Sequence, residues 1–333
     1  MRILITGGAG FLGTMLTNEL LTQADSGNLI FGDRTARIHT ITSLDMASSP
    51  VQDSRVRSLV GDLTDPAVLA DALDGGVDVI VHLAAVLSGG SEQDFDLSSR
   101  VNIDGTRALL EGARQITAET GRAPRVVFTS SLAVFGGVVP EVVPEAWAAQ
   151  PQSSYGAQKA IGELLVNEYG RKGFVDARIC RLPTISVRPG RPNSAASSFA
   201  SGIIREPLNG EQAPLPVPES TRLWLSSPRV VVRNLVRALS VAPEVLDESA
   251  QAPWRVMNMP GITVTVAEML AALERVAGAE VRARVCPEPD ATVSAIVTGW
   301  PGAFDVSRML ELGFEADQSF DDIIRQYQDD FVA

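Results

Sequence analysis

Thr6-Gly7-Gly8-Ala9-Gly10-Phe11-Leu12-Gly13 follows the apolar run 2–5 and opens the helical pattern 12–21. Gly7, Gly10 and Gly13 recur at every third position. In a strand–turn–helix setting, the first glycine permits the tight turn. The second lets a pyrophosphate approach the backbone N–H groups at a helix N-terminus, where the dipole favours negative charge. The third allows close packing of helix and strand. A glycine triplet alone is a weak signal. Its place directly after the first strand makes this one a dinucleotide site.

Working outward, short apolar runs alternate with helical patterns. Strands are expected at 38–44, 56–60, 77–83 and 125–129, and helices at 102–116 and 155–169. Continuous apolar strands separated by helices imply an α/β fold with a Rossmann-type, doubly wound parallel sheet. The sequence divides at about residue 180. Residues 1–180 form the NAD-binding part, with some of the later chain returning to it, and 181–333 form mainly a smaller substrate-binding lobe. Beyond 180, Pro183, Pro189, Pro192, Pro207, Pro214, Pro216 and Pro218 break the pattern, as expected of a binding loop or lid. Regular structure resumes with a helix at 230–239, a strand at 256–259, a helix at 265–276 stopped by Gly278, and helical segments at 304–312 and 321–331.

Composition excludes several classes. The chain has 333 residues, 45% of them hydrophobic and 20% charged, enough for a packed core and far from a disordered composition. A net charge of −12 argues against nucleic acid or an anionic membrane as partner. Cys180 and Cys286 are the two cysteines, and His39 and His82 the two histidines. They form no metal-ligand spacing, so no metal is expected. Few cysteines fit a reducing, cytoplasmic setting. The N-terminal apolar run is too short for a signal sequence, and no membrane span is expected.

Asp45, closing the second strand, is the residue expected to bind the adenosine ribose diol. It lies farther from the glycines than the usual ~20 residues because 28–37 reads as an insertion; Asp33 is the competitor. A carboxylate without an adjoining arginine favours NAD over NADP, against which Arg34 and Arg37 stand. Asp62 is placed to meet the adenine amino group or to cap a loop. Ala84 and Ala85 let the cofactor lie against the backbone. His82 reads as a packed core histidine, and Ser88 as a contact to nicotinamide and substrate. Tyr155 and Lys159, four residues apart, share a helix face. A phenol is a poor base at neutral pH unless a neighbouring ammonium and a nicotinamide cation stabilise the phenolate. Ser131, closing the preceding strand, can hydrogen-bond the reacting hydroxyl or carbonyl.

The glycine turn, Ser130-Ser131-Leu132-Ala133-Val134-Phe135-Gly136 and Tyr155-Gly156-Ala157-Gln158-Lys159 together resemble the extended short-chain dehydrogenase/reductases, the NAD-dependent epimerase/dehydratase family. The resemblance implies a catalytic set of Ser131, Tyr155 and Lys159. It implies NAD contacts from Phe11, Leu12, Leu63, Asn102, Tyr155, Lys159, Pro183 and Thr184 besides the residues above. It also implies a homodimer joined by a four-helix bundle of the helices that begin near Asn102 and Tyr155. Phe135 stands where many nucleotide-sugar epimerases carry an aromatic hydroxyl. Arg222-Leu223-Trp224-Leu225-Ser226 keeps only the arginine of their sugar-nucleotide segment. The run 181–208 and Ser226-Ser227-Pro228-Arg229 resemble instead the D-erythronate dehydrogenase branch, near the L-threonine dehydrogenases. That branch implies oxidation of a small hydroxy acid, D-erythronate at C2, with substrate contacts from Ser88, Ser131, Tyr155 and an arginine. Arg191 is the expected carboxylate partner, with Arg188, Arg205 and Arg229 also eligible. A nucleotide-sugar 4-epimerase with tightly held NAD and a non-catalytic NAD-sensing regulator are the alternatives.

Overall fold

The apolar runs of the first half assemble into one parallel sheet. In the computed structural model, which describes residues 1–32, 34–190, 195–249 and 254–332, its strands are β1 (Arg2–Thr6), β2 (Thr40–Asp45), β3 (Val56–Val60), β4 (Val79–His82), β5 (Arg125–Ser131), β6 (Asp176–Leu182) and β7 (Val256–Asn258). Their spatial order is β7-β6-β5-β4-β1-β2-β3. The chain runs outward from β1 to β3, then returns to the other side of β1 as β4. That reversal opens a crevice at the carboxyl ends of β1 and β4, where open parallel sheets bind ligands. The register sets its floor: Thr6 pairs with Leu44 on one side and His82 on the other.

Alternation within β1 sends side chains to both faces, as a sheet buried twice requires. Ile3 and Ile5 pack with Leu16 and Leu20 of α1 (Phe11–Asp25). Leu4 packs on the opposite face, against Leu69 of α2 (Pro66–Leu73), Leu109 and Leu110 of α3 (Thr106–Thr120) and Val166 of α4 (Ser154–Arg171). A second core lies outside the sheet. There α5 (Phe199–Leu208), α7 (Val266–Ala277) and α8 (Phe320–Phe331) enclose Ile203, Met269, Leu273 and Ile324 beside a small sheet of Thr184–Ile185, Arg222–Ser226 and Ile262–Thr265. The later chain also feeds the first core, through Leu235 and Leu239 of α6 (Pro228–Ser240) and through Met257 of β7.

Three expectations about elements change. The insertion at 28–37 is a small antiparallel hairpin, Ile30–Phe31 with Arg34–Thr35, docked where Ser240 Oγ donates to the Ile30 carbonyl at 2.8 Å; Asp33 lies outside the described residues. The helix expected at 102–116 begins with a wider π turn over Arg100–Gly105 before α3. Such turns recur at functional sites. The helix expected at 304–312 covers only Ser307–Glu311. Phe304 bridges to Val143 and stacks on Phe135 and Trp224, and Asp305 Oδ1 accepts from the Ser307 N–H at 3.0 Å, so the aromatic docking and this local turn win over helix.

The sheet and α4 are joined by a buried ion pair. Arg181 of β6 donates Nε and Nη2 to Glu163 of α4 at 2.8 and 2.7 Å. Ser130 of β5 donates to the same carboxylate at 2.5 Å. Both charged side chains are almost fully buried. Breaking such a pair from one side leaves an uncompensated charge and costs about 3–5 kcal/mol. Glu163→Ala should therefore lower unfolding stability by about that amount, whereas replacing Glu163 and Arg181 together with apolar residues should cost much less. Urea melts of the single and double variants check this; equal losses would contradict it.

Candidate active site

The glycine turn is built as the spacing requires. Gly7 sits at φ +71, and a Cβ there would lie 2.9 Å from the backbone nitrogen of Ala84. A Cβ on Gly13 would lie 2.4 Å from the Gly7 carbonyl oxygen. No side chain is tolerated at either place, so the first turn of α1 closes directly onto the end of β1. Gly10 is the N-cap of α1 and provides no capping side chain, and the first turn holds no acidic residue. The exposed amides and helix dipole there suit a pyrophosphate, so the residues present fit a dinucleotide.

At the end of β2, Asp45 Oδ2 accepts from the Ala9 N–H at 3.1 Å. Its carboxylate thus lies against the glycine turn, on the side expected to meet the ribose diol. Asp62 Oδ1 accepts from the backbone N–H and the hydroxyl of Thr64, both at 2.8 Å. These bonds hold its carboxyl below the usual carboxylate range, and the loop-capping role is the one visible. Leu63 turns its side chain into the core beside Gly105, leaving only backbone for a ligand.

Several expected contacts act one layer behind the cleft. His82 is buried, with Nδ1 2.6 Å from the Thr6 hydroxyl and Nε2 2.9 Å from the Thr106 hydroxyl. Burial, then the Lys159 charge, pushes its pKa down to about 3. It is a neutral core histidine. Asn102, within the π turn, accepts from the Val86 N–H at 2.8 Å and donates to the Val86 carbonyl at 3.0 Å and to Gln158 Oε1 at 2.7 Å. Its amide therefore clamps the 83–88 loop to α4 instead of pointing into the cleft. Ser88 lines the cleft, but its hydroxyl accepts from the Ala196 N–H at 2.9 Å and so ties that loop to the segment preceding α5.

The residues expected to form a catalytic set are assembled by the start of α4. Ser153 caps the helix, accepting from the Gly156 N–H at 3.1 Å. A Cβ on Gly156 would lie 2.1 Å from the Ala133 carbonyl oxygen, so only glycine lets α4 approach the turn after β5 this closely. That approach puts the Tyr155 phenol beside the Ser131 hydroxyl. Lys159 Nζ donates to the Thr129 carbonyl at 2.7 Å and lies 5.7 Å from the Tyr155 ring centroid. Burial pushes the phenol up to about 12; Ser131 and the charge of Arg188 draw it back. Lys159 is not among those causes; the expectation joined its ammonium to a nicotinamide cation. The ammonium is itself pushed down to about 8 by burial, opposed by Glu163.

Gly7, Gly10, Phe11, Leu12, Gly13 and Ala85 line a cleft of about 300 Å³ together with Ser88, Ser131, Tyr155, Lys159, Pro183 and Thr184. Ala84 packs beneath it against Gly7. Arg191 lies outside the described residues. Arg229 pairs with Asp330 and Arg205 with Glu206, while Arg188 lines the cleft. Trp300 and the Thr129 carbonyl also reach the site. Nothing in the local sequence marked Trp300, which lies 103 residues beyond the nearest other lining residue, Ser197, and reaches the cleft only through the tertiary fold. Among the described residues, no group of three His, Cys, Asp or Glu side chains is placed to hold a metal ion, and no helix is long and apolar enough to cross a membrane.

The model of the NAD dependent epimerase/dehydratase family matches residues 3–252. A D-erythronate dehydrogenase of Cupriavidus necator is 53% identical over 331 residues, covering 99% of this chain and 98% of that protein. Another, from Haemophilus influenzae, is 43% identical over 327 residues and covers 98% of each. A crystal structure described as a nucleoside-diphosphate-sugar epimerase from Agrobacterium tumefaciens superposes with a TM-score of 0.90 at 41% identity, covering 100% of this chain and 94% of that one. The chain belongs to the NAD-dependent epimerase/dehydratase family, and its cofactor is NAD.

Asp45 should set the choice between the two nicotinamide dinucleotides. Steady-state kinetics should favour NAD, and Asp45→Ala should erode that preference by removing the carboxylate that a 2′-phosphate would meet. A strong NADP preference in the unsubstituted protein would overturn this role.

Proposed function

We propose that this NAD-dependent dehydrogenase, which acts on a CH–OH group, oxidises D-erythronate at C2 to the 2-oxo acid, 2-dehydro-D-erythronate. The observation that carries the reading is the joining of Ser131, Tyr155, Lys159 and one arginine, Arg188, in a single small cleft. Near-full-length identity to two D-erythronate dehydrogenases supports the substrate. When bound, NAD accepts a hydride from the carbinol carbon. Ser131 orients the substrate hydroxyl, and Tyr155 takes its proton. The charge of Arg188 offsets burial and favours the phenolate, and we assign Lys159 the same part with a nicotinamide cation beside it. The net change is alcohol plus NAD⁺ to ketone plus NADH and one proton.

The epimerase reading is the second one, and the Agrobacterium structure's description favours it. Against it, Arg222, the arginine expected to serve a nucleotide diphosphate, points to Glu141 at 3.6 Å on the exposed surface. Incubation with UDP-sugars separates the readings, since epimerisation gives no net NADH. An NAD-sensing regulator would give neither NADH nor epimer.

Tyr155→Phe should remove turnover and keep NAD binding. General-base contributions are about 10²–10⁴-fold, so retention of more than about a tenth of the rate would mean that another base operates. His82 is a poor substitute, since both its nitrogens are engaged. Lys159→Met should impair turnover and NAD affinity together. The pH profile has a definite sign. The active form is the phenolate, and burial raises the phenol, so oxidation should accelerate as pH rises. Lys159→Met should move the rising limb to higher pH. Tyrosine and lysine interact, so the limb belongs to the pair. A limb that stayed in place would refute the lysine's part.

We also propose a homodimer in the cytoplasm. Ile161 and Leu164 of α4, with Phe95 and Leu97 of the short helix Phe95–Ser99, leave apolar side chains exposed. A second copy of the same face would cover them in an isologous contact. Light scattering should give twice the chain mass at micromolar concentration, and Leu164→Glu should shift it toward the monomer. A monomer without substitution would end the proposal.

A further inference from the structure

The arginine in the cleft is unusual in what it lacks. Arg188 makes no side-chain hydrogen bond or ion pair with the described residues, and its Nη2 is closed off from solvent with no partner. A buried guanidinium normally finds an acceptor. Among the described residues no aspartate or glutamate lines this cleft, and its other cation is Lys159. Lys159 already donates to the Thr129 carbonyl, and Glu163 is held by Arg181 and Ser130. No negative charge of the described cleft wall answers Arg188.

Its position is nevertheless fixed by the fold. The Arg188 N–H donates to Ser201 Oγ at 3.0 Å. Its carbonyl accepts from Arg205 Nη1 at 2.9 Å. Arg205 is in turn neutralised by Glu206 at 2.5 Å. Both peptide ends of Arg188 are therefore tied to α5, and the Glu206 carboxylate is engaged by Arg205 through Oε1. Burial and the charge of Arg205 both disfavour the protonated guanidinium, so the arrangement has a cost that an incoming anion would offset. Arg188 also lies close enough to Tyr155 for each to act on the other's ionisation.

We propose that Arg188 is the carboxylate anchor of the active site and that it restricts the substrate to acids whose reacting hydroxyl is on the carbon next to the carboxylate. The guanidinium fork matches a carboxylate with two parallel bonds. In a 2-hydroxy acid the carboxylate and the carbinol are neighbours. A carboxylate on Arg188 therefore delivers the carbinol to Ser131 and Tyr155, whereas a 3-hydroxy acid bound the same way would present the wrong carbon. This deepens the proposed D-erythronate oxidation and rests on it for the substrate's identity, though not for the anchor itself. Of the four arginines eligible from the sequence, this proposal assigns the carboxylate to Arg188; Arg191 lies outside the described residues.

The test measures kcat and KM for D-erythronate, NADH affinity by calorimetry, and oxalate binding to the enzyme–NADH complex. The variants are Arg188→Met, which keeps the bulk of the side chain, and Arg188→Lys. A hydrogen-bonded charge pair supports a loss of about 10- to 100-fold. Arg188→Met should raise KM for D-erythronate by about that factor, abolish oxalate binding and leave NADH affinity within about twofold. Arg188→Lys should fall between, because one charge remains without the fork. Erythritol, which lacks the carboxylate, should be a poor substrate of every form, so that the preference for the acid collapses in Arg188→Met. Oxalate binding equally to the unsubstituted and Arg188→Met complexes, or to neither, overturns the anchor. So does an unchanged KM in Arg188→Met with NADH binding intact. If Arg188→Met loses NADH binding through misfolding, Arg188→Lys decides: unchanged KM and oxalate affinity overturn the anchor, and weakened values support it. If the unsubstituted enzyme binds oxalate through Arg188 but does not oxidise D-erythronate, the substrate assignment fails and the anchor stands.

Discussion

The site depends on keeping positive charge dry. Lys159 is buried, and the chain must hold its ammonium without a carboxylate in direct contact. Burial, opposed by Glu163, pulls the ammonium down to about 8, still charged in the neutral range. The Thr129 carbonyl accepts one of its protons, and Glu163, one turn further along α4, supplies a compensating field. Glu163 cannot migrate to the lysine because Arg181 and Ser130 hold it. Burial, and then the Lys159 charge, keeps His82 neutral. A protein carrying −12 overall thus builds a cleft whose charged wall residues are cationic. That local excess suits anions, the pyrophosphate of NAD and the phenolate and acid substrate proposed above.

Backbone geometry provides the second constraint. Gly7, Gly13 and Gly156 each sit where a Cβ would strike main-chain atoms within 3 Å. The first two close α1 onto β1. The third closes α4 onto the turn after β5. One set positions the dinucleotide, and the other positions the phenol. Because both turns follow strands of one parallel sheet, the sheet register fixes the distance between the glycine turn and the phenol.

What was legible in the sequence was contiguous. The glycine turn, Ser131, and the Tyr155/Lys159 pair each lie in a short run whose local geometry nearly determines its role. The strands of the first half were legible because each is apolar throughout, and the return of later chain to the sheet appears as β7 and α6. Residues acting through tertiary contact were harder. Asn102 and Ser88 occupy expected neighbourhoods, but their hydrogen bonds fasten loops to one another. Trp300 and Glu163 carry no pattern that distinguishes them from other buried aromatic or surface-type acidic residues. The segment 304–312 reads as helix until Phe304 is claimed by the aromatic cluster with Phe135 and Trp224.

The arginines show why sequence stops short of substrate. Arg188, Arg205, Arg222 and Arg229 look alike as residues in a loop-rich region, and an acid or a diphosphate could use any of them. The fold separates them by what each already holds. Arg229 reaches across to Asp330 at the surface, Arg222 to Glu141, and Arg205 to Glu206 and the Arg188 carbonyl. A guanidinium already paired must give up that partner to bind a ligand, and one that is unpaired and partly desolvated does not. Selection therefore falls on Arg188 by its unsatisfied valence, which is a property of the assembled cleft and not of any stretch of chain. The same reasoning bears on ligand size. One unpaired fork beside a phenol serves a single carboxylate next to a carbinol. A nucleotide diphosphate would need further cations, and those are committed elsewhere among the described residues.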